Sequence, residues 1–286
     1  MATRKSSNYS RKTSRPRRSS AKGPRRFLVP VLVTLMFLLV LGMAAYHYRE
    51  ALAYYFSFKS RHHLPKAKSE IAEARIYQIL KKHPGKAYGL DVSQYQGKID
   101  WSQVRKIEDT FPVSFVLIRA TAGKNHLDTR FKENWKAVKK NQFIRGAYHY
   151  YRPNENSLLQ AQHFIDHVSL ESGDLPPVLD IENLPKIQSM DSLKVGLRRW
   201  LNRIESHYGV KPIIYTGERY YKDFLHRDFK EYKFWIANYN FFVEGIKDDW
   251  LFWQFTEKGT IPGIKGNVDM NIYNGTPKML NYLTIK

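Results

Sequence analysis

Short apolar runs alternate with segments of helical periodicity from residue 87 onward. The apolar runs are rich in β-branched and aromatic residues, which predicts strands. In chain order they read AYGLDVS, VSFVLIRAT, IRGAYHYY, PPVLDIE, KPIIYTG, KFWIANY, LFWQFT and NVDMNIY. The intervening segments predict helices at WSQVRKIEDT, RFKENWKAVKKNQ, SLLQAQHFIDHVSL, MDSLKVGLRRWLNRIESHYG and GERYYKDFLHR. This alternation predicts an α/β fold with parallel strands and right-handed crossovers.

Eight predicted strands favour a closed (β/α)8-type barrel. A complete barrel of this type takes about 250 residues, whereas the strands and helices here share roughly 190. Residues 232–275 hold the last three strands with little room for helices between them. We therefore expect a shortened TIM-like barrel whose final strands are joined by loops or hairpins.

The segment before the domain reads differently. Residues 27–46, FLVPVLVTLMFLLVLGMAAY, carry no charge, and a helix of about 20 apolar residues spans a bilayer core. Residues 1–26 contain seven Arg, three Lys and no acid, which is typical of a cytoplasmic flank. We predict a disordered basic tail (1–26) and a single-pass transmembrane signal anchor (27–46). Cleavage after Ala44, which would release a secreted protein, is the alternative.

Residues 47–86 read as a basic stem or linker with one short helix that Pro84 and Gly85 end. The globular domain is then expected at 87–286, on the far side of the membrane, in a periplasmic or extracellular location. The net charge of +21 raises the possibility of nucleic-acid binding. Because the basic tail precedes a membrane span, we expect membrane contact and no nucleic-acid partner.

Residue types absent from the chain exclude several chemistries. There is no cysteine, which rules out disulfides, thiolate metal sites and a cysteine nucleophile. The sequence also lacks a phosphate-binding P-loop and a G-x-S-x-G motif. His163 and His167 stand four residues apart on a predicted helix, but the surrounding sequence does not match a zinc protease.

Polar and aromatic residues collect where the predicted strands end. The carboxyl ends of barrel strands form the active-site face. Acids occur there at Asp91, Asp180, Glu182 and Asp269. The other candidates at these ends are Tyr148, Tyr151, Tyr215, Trp235, Asn238, Trp253, Gln254 and Asn271, which we interpret as substrate-binding residues.

The motif PPVLDIE places two acids on one face of a strand. Residues i and i+2 share a face, so Asp180 and Glu182 both point inward while Leu179 and Ile181 pack against the helices. Repulsion and partial burial should then raise at least one carboxyl pKa. A proton donor beside a second carboxylate, with aromatic walls, is the equipment of a glycosidase. A divalent-cation site and structural ion pairing remain alternatives.

Several segments resemble the family-25 glycoside hydrolases, the Chalaropsis-type lysozymes or N-acetylmuramidases. They appear in the order of that family over residues 87–276. They read YGLDVSQYQGKIDW, FVLIRATAG, IRGAYHYYRP, PVLDIEN, PIIYTG, FWIANY, WQFTEKGTIPGI and VDMNIYNG.

This resemblance implies a shortened barrel and cleavage of the β-1,4 bond between N-acetylmuramic acid and N-acetylglucosamine in peptidoglycan. It implies no metal or other cofactor. Glu182 matches the general acid, and Asp180 matches a partner that orients the N-acetyl group, with a direct nucleophilic role also open. Asp91 and Asp269 match the flanking acids.

Two positions depart from the family pattern. An acid usually stands where this chain has Ala122, and Arg or His often stands where it has Asn238. Neither departure touches the four acids, so we expect an active enzyme. A catalytically silent peptidoglycan-binding module is the alternative.

Overall fold

The computed structural model describes residues 25–48 and 67–286. The chain divides into two compact units, Met1–Arg49 and Glu50–Lys286. In the first, helix α1 spans Arg25–His47. Within it, Val29–His47 has a mean hydropathy of 2.3 and is long and apolar enough to cross a membrane, as a signal sequence would also be. The predicted tail up to residue 24 and the stem from 49 to 66 lie outside the described residues.

The second unit contains ten strands and six helices among its described residues. The strands are β1 (Ala87–Val92), β2 (Lys106–Ile107), β3 (Phe111–Ala122), β4 (His126–Leu127), β5 (Ile144–Tyr150), β6 (Val178–Asp180), β7 (Ile213–Gly217), β8 (Lys233–Ala237), β9 (Trp250–Gly259) and β10 (Val268–Tyr273). The helices are α2 (Ala67–Lys82), α3 (Phe131–Lys140), α4 (Ser157–His167), α5 (Met190–Tyr208), α6 (Glu218–Tyr220), which continues as a π turn over Tyr221–Leu225, and α7 (Pro277–Leu283).

Eight of the strands close into a barrel in the order β1-β3-β5-β6-β7-β8-β9-β10, because β1 pairs with both β3 and β10. The short strands β2 and β4 attach to β3 at the edge. Strands β1 to β9 of the barrel are parallel, whereas β10 runs antiparallel to both neighbours. The closed barrel is therefore confirmed. The hairpin β9–β10 also confirms the expected shortening at the carboxyl end.

Side chains alternate between two layers of core. Those pointing into the barrel form one buried cluster that includes Phe115, Val178 and Phe252, and those pointing outward pack against the helices. Gly89 of β1 faces inward, where a Cβ would lie 2.4 Å from the Phe115 ring. Glycine at this position therefore lets a phenylalanine fill the barrel interior.

The full (β/α)8 character is not present. Helices α3, α4 and α5 lie where the sequence predicts them, and α4 and α5 begin at capping side chains, Asn156 and Ser189. The predicted helix at 101–110 is wrong, because that segment forms turns and the short strand β2. Glu108 and Asp109 there adopt positive φ angles of 47° and 52°, which a helix does not accommodate.

Helix α2 is the helix predicted within the stem, and it is part of the folded body. Ile76, Ile79 and Leu80 on one of its faces are buried in the outer core. His83, just after the helix, contacts the ring of Trp253 edge-on. The packed structure thus begins ahead of Ala87, the boundary expected from the sequence.

Candidate active site

Four carboxyl groups meet at one end of the barrel. Asp91 lies near the end of β1, Asp180 ends β6, and Glu182 follows two residues later. Asp269 lies at the beginning of β10, directly opposite Asp91 in the strand register. Because β10 runs antiparallel to β1 and β9, its first residues lie at the same end of the barrel as the last residues of the other strands. The reversed strand therefore brings the fourth acid to the same end.

Strand β6 has the predicted alternation. Val178 belongs to the cluster inside the barrel, whereas Leu179 and Ile181 belong to the outer cluster. Asp180 consequently points inward with Val178 and lines a cavity together with Glu182. The prediction that both acids point inward is confirmed.

The cavity at this end has a volume of about 510 Å³; we refer to it as the catalytic cavity. All four acids line it. Four of the residues predicted to bind substrate also line it: Tyr148, Tyr215, Trp235 and Gln254. The Tyr215 and Trp235 rings are in contact, with centroids 4.3 Å apart. Carboxyl groups and aromatic rings thus share one concave surface.

Asp91 is held by three neighbours. Its Oδ2 accepts hydrogen bonds from Gln254 Nε2 at 2.7 Å and from Asn271 Nδ2 at 2.8 Å. Asp91 and Asp269 also hydrogen-bond to each other, so one of them carries a proton. Burial raises the pKa of Asp91 to about 6. Burial, followed by the nearby Asp91 charge, raises the pKa of Asp269 to about 9.

Asp180 and Glu182 form a second coupled pair. Burial, followed by the charges of Glu182 and Asp91, raises the pKa of Asp180 well above its usual value. Asp180 Oδ1 is buried and has no hydrogen-bond partner among the described residues. Glu182 is more accessible to solvent. Burial in the cavity wall still raises its pKa, while the nearby polar hydroxyl of Tyr215 acts in the opposite direction. The pair therefore holds protons to higher pH than free carboxyl groups do.

Gln254 links the two pairs. Its Oε1 accepts hydrogen bonds from Tyr215 at 2.8 Å and from Tyr239, while its Nε2 donates to Asp91. Asn271 lies behind Asp91 and accepts a hydrogen bond from Trp235 Nε1 at 2.8 Å. Asn271 is fully buried, so it positions Asp91 and does not line the cavity.

Three predicted substrate-binding residues lie elsewhere. Tyr151 and Trp253 belong to the outer core, since each neighbours an inward-facing residue and strand neighbours face opposite sides. Trp253 Nε1 donates to the Asn238 carbonyl at 3.0 Å. Asn238 lies outside the cavity lining, and its side chain donates to Glu218 at 2.5 Å. The structure therefore corrects the placement of Tyr151, Asn238 and Trp253.

The cavity also contains residues that the sequence prediction missed. Tyr150, Tyr239, Tyr95, Arg152 and Glu257 line it. Tyr150 could have been found, because it lies two residues after Tyr148 on the same strand face. Glu257 lies in β9 where its register against β10 shifts, and Tyr95, Arg152 and Tyr239 lie outside the strands, so a regular two-residue alternation did not reveal them.

Arg119 lines the cavity at the position where β3 approaches the acids. Its Nε donates to the buried carboxyl of Asp128 at 2.9 Å, and its guanidinium lies 4.7 Å from the centre of the Tyr95 ring. Its charge is thus neutralised by Asp128. Among the described residues, none of the four cavity acids forms an ion pair.

The histidines noted in the sequence lie outside this site. His149 is fully buried, hydrogen-bonds to Thr121 at 2.7 Å and Gln160 at 3.2 Å, and stacks on Trp200. Burial lowers its pKa to about 3, so it is neutral. The His163 and His167 rings contact each other edge-on. Across residues 25–48 and 67–286, no group of three His, Cys, Asp or Glu is arranged to hold a metal ion.

Comparison with known proteins agrees with this chemistry. The model of glycosyl hydrolases family 25 matches residues 90–264. The chain is 38% identical over 197 residues to the uncharacterized protein YegX of Escherichia coli K12, covering 68% of this chain and 71% of YegX. It is 32% identical over 207 residues to lysozyme M1 of Streptomyces globisporus, covering 67% of this chain and 69% of that enzyme.

Solved structures give the same result. The family 25 glycosyl hydrolase from Bacillus anthracis superimposes with a TM-score of 0.63 at 27% identity, covering 70% of this chain and 94% of that one. The barrel, the paired acids of its cavity and the extended sequence match lead to one assignment. This chain is a glycoside hydrolase and belongs to glycosyl hydrolase family 25.

Proposed function

We propose that the chain is a peptidoglycan hydrolase, a lysozyme that cleaves the β-1,4 bond between N-acetylmuramic acid and N-acetylglucosamine. The observation that carries this proposal is the pair at the end of β6. An accessible carboxyl group, Glu182, lies beside a buried one, Asp180, that has an oxygen without a partner. The name of the relative lysozyme M1 supports the substrate class.

Glu182 acts as the general acid. Its raised pKa keeps it protonated closer to neutral pH than a free glutamate, and its exposure lets it reach a glycosidic oxygen. Donation of this proton to the leaving oxygen breaks the bond as positive charge develops at the anomeric carbon. General acid catalysis of this kind contributes typically about 10²–10⁴-fold to the rate.

Asp180 assists by binding the acetamido group of the sugar. The acetamido N–H of a bound sugar would donate to Asp180 Oδ1, the oxygen that has no partner among the described residues. Such a hydrogen bond favours the ionised form of Asp180. The negative charge would orient the acetamido oxygen and stabilise the developing positive charge as that oxygen bonds to the anomeric carbon and the protonated leaving oxygen departs. Water then attacks the anomeric carbon, breaks the bond to the acetamido oxygen and gives its proton to the Glu182 carboxylate, which restores the acid.

The other two acids and the aromatic residues position the sugar. Asp91 and Asp269 share a proton, and their remaining carboxyl oxygens accept hydrogen bonds from sugar hydroxyls. The buried rings of Tyr148 and Trp235 line the cavity and shape the space that a sugar ring occupies.

We place this activity outside the cytoplasm. The apolar helix α1 is long enough for a signal anchor, and the basic residues 1–26 favour a cytoplasmic amino terminus. Peptidoglycan lies on the opposite side of that membrane. Amino-terminal sequencing of the mature protein distinguishes an anchored chain from one cleaved after Ala44, and protease protection in spheroplasts locates the domain.

Mass spectrometry of the muropeptides released from purified peptidoglycan tests the reaction. We expect products with N-acetylmuramic acid at the new reducing end, and no products from the Glu182→Gln protein. Products that end in N-acetylglucosamine would contradict the bond assignment. Binding of peptidoglycan by the wild-type protein without any clearing in a zymogram would instead favour the catalytically silent module.

A further inference from the structure

A second cavity of about 460 Å³ adjoins the catalytic cavity. Tyr239 and Glu257 line both cavities, so the two lie side by side on the protein surface. We refer to the second one as the side groove. Its remaining lining residues are Ile71, Ala72, Arg75, Phe241, Thr256 and Lys258.

One wall of the side groove is the helix α2. This helix spans Ala67–Lys82 and lies outside the residues 90–264 that match the family model. Ile71 near its amino-terminal end is 58% exposed and faces the groove, whereas Ile79 and Leu80 on its later turns are buried. The groove is thus completed by a segment that lies outside the family-model match.

Helix α2 also holds the opposite wall, the loop 238–249 between β8 and β9. Arg75 donates from Nη1 to the Phe255 carbonyl at 2.9 Å and from Nη2 to the Asn240 carbonyl at 2.8 Å. Gln78 Nε2 donates to Glu244 Oε1 at 2.7 Å. The loop is therefore fixed on both sides of Phe241, and the groove is preformed.

The chemistry of the groove suits a sugar chain. Tyr239 and Phe241 are 42% and 41% exposed, so part of each ring lies at the groove surface, where the apolar face of a sugar can pack against it. The guanidinium of Arg75 lies 5.9 Å from the Phe241 ring centre, and Lys258 lies in the same lining. Cations beside aromatic rings fit acetamido oxygens and the lactyl carboxylates of muramic acid.

We propose that the side groove is an additional subsite, built by α2, that binds the peptidoglycan glycan strand as it continues from the catalytic cavity. Tyr239 connects the two, because its hydroxyl donates to Gln254 inside the carboxyl network while it also lines the groove. This inference rests on the proposed function. It makes the enzyme selective for long strands.

Cleavage of peptide-free peptidoglycan tetra-, hexa- and octasaccharides by the full-length protein tests the subsite. We expect kcat/KM of the wild-type protein to rise with length. The Phe241→Ala and Ile71→Glu variants should lose that rise, with a reduction of about tenfold on the octasaccharide for Phe241→Ala and a smaller loss on shorter chains. Tyr282→Ala, at a 67% exposed position on α7, is the matched control.

The outcomes separate the two proposals. A wild-type rate that does not rise with length, or variants that lose the same factor on all three substrates at unchanged melting temperature, would overturn the subsite while leaving the lysozyme intact. If the wild-type protein cleaves none of them, the proposed function fails. In that case, isothermal titration calorimetry with the octasaccharide tests whether the side groove binds glycan. Equal affinity of the wild-type and Phe241→Ala proteins would reject the subsite, and weaker binding by the variant would support it.

Discussion

The two ends of the barrel treat buried acids in opposite ways. At the amino-terminal end, the Asp174 carboxylate accepts hydrogen bonds from Arg145 Nε at 2.7 Å and from Arg145 Nη2 at 3.1 Å. The guanidinium of Arg145 lies 4.0 Å from the centre of the Trp135 ring. At the carboxyl-terminal end, Asp180 has an oxygen without a partner among the described residues and shares its cavity with four further acids.

The comparison indicates that Asp174 stabilises the fold, whereas the acids of the catalytic cavity serve the reaction. A carboxylate whose oxygens are held by a guanidinium forms a strong, specific pair that stabilises the fold. Acids gathered where the nearby arginines are paired with other carboxylates cost stability and shift pKa values, which is the usual condition of a catalytic centre. The predictions below test that separation, in order of the size of the effect.

Replacing Asp174 by Asn should give the largest change in stability. The variant removes the nearer carboxylate from the buried Arg145 and leaves only Glu171 at 3.7 Å. Breaking a buried ion pair typically costs about 3–5 kcal/mol. Urea unfolding of the detergent-solubilised protein, followed by tryptophan fluorescence, measures this loss. Glu133→Gln breaks the exposed Arg130 pair and should cost less than about 1 kcal/mol. If the two variants lost the same free energy of unfolding, the structural role of Asp174 would be contradicted.

Replacing Asp180 by Asn should lower activity and leave stability intact, the opposite of the effect expected at Asp174. Removing charge stabilisation at the reaction centre lowers kcat by about 10²–10³-fold. Because the variant also removes a buried like-charge contact, we expect a melting temperature at or above that of the wild-type protein. Turnover on peptidoglycan and a thermal melt of the same sample measure both effects. A large drop in melting temperature together with the lost activity would make Asp180 a structural residue like Asp174.

The barrel was predictable from the sequence because its strands are apolar and regularly spaced. The direction of β10 was not, since NVDMNIY has the same pattern in either orientation. The helix predicted at 101–110 failed because Trp101, Val104 and Ile107 are buried by turns and a short strand. Periodicity reports which residues are buried, and here a different backbone buried the same residues.

The acids were found because two of them share a strand face and all lie at strand ends. The predicted substrate contacts were less accurate. Tyr148 and Gln254 line the cavity, but the choices of Tyr151 and Trp253 broke the two-residue alternation. Tyr239 lies in a loop, so only the hydrogen bond to Gln254 in the structure shows its place.

The pH dependence of activity sharpens the role of the acid pair. Activity should fall as pH rises through the raised pKa of Glu182, because the proton donor is lost. The nearby Tyr215 hydroxyl lowers the pKa of Glu182, so Tyr215→Phe should move this alkaline limb to higher pH. The pH–rate profile of kcat/KM measures the shift, and Tyr282→Phe on the surface is the control. An unmoved limb would assign the proton to another group.

The last prediction concerns the pH dependence of stability at the other pair of cavity acids, Asp91 and Asp269. The folded protein holds the Asp269 proton up to a pKa of about 9, whereas the unfolded chain releases it near the ordinary value for aspartate. Between these limits the unfolded state binds fewer protons, so this group makes stability fall as pH rises. Asn at position 269 keeps a donor toward Asp91 and does not titrate.

The free energy of unfolding of the wild-type protein minus that of Asp269→Asn should therefore decrease from about pH 4 to about pH 9 and then level off. Urea titrations across this range measure the difference. Asp100→Asn is the control, because Asp100 is exposed and hydrogen bonds from Ser102 and Gln103 lower its pKa, which confines its effect to more acidic solutions. A difference that rises with pH would mean that Asp269 is a stabilising carboxylate, and the contrast with Asp174 would then disappear at this position.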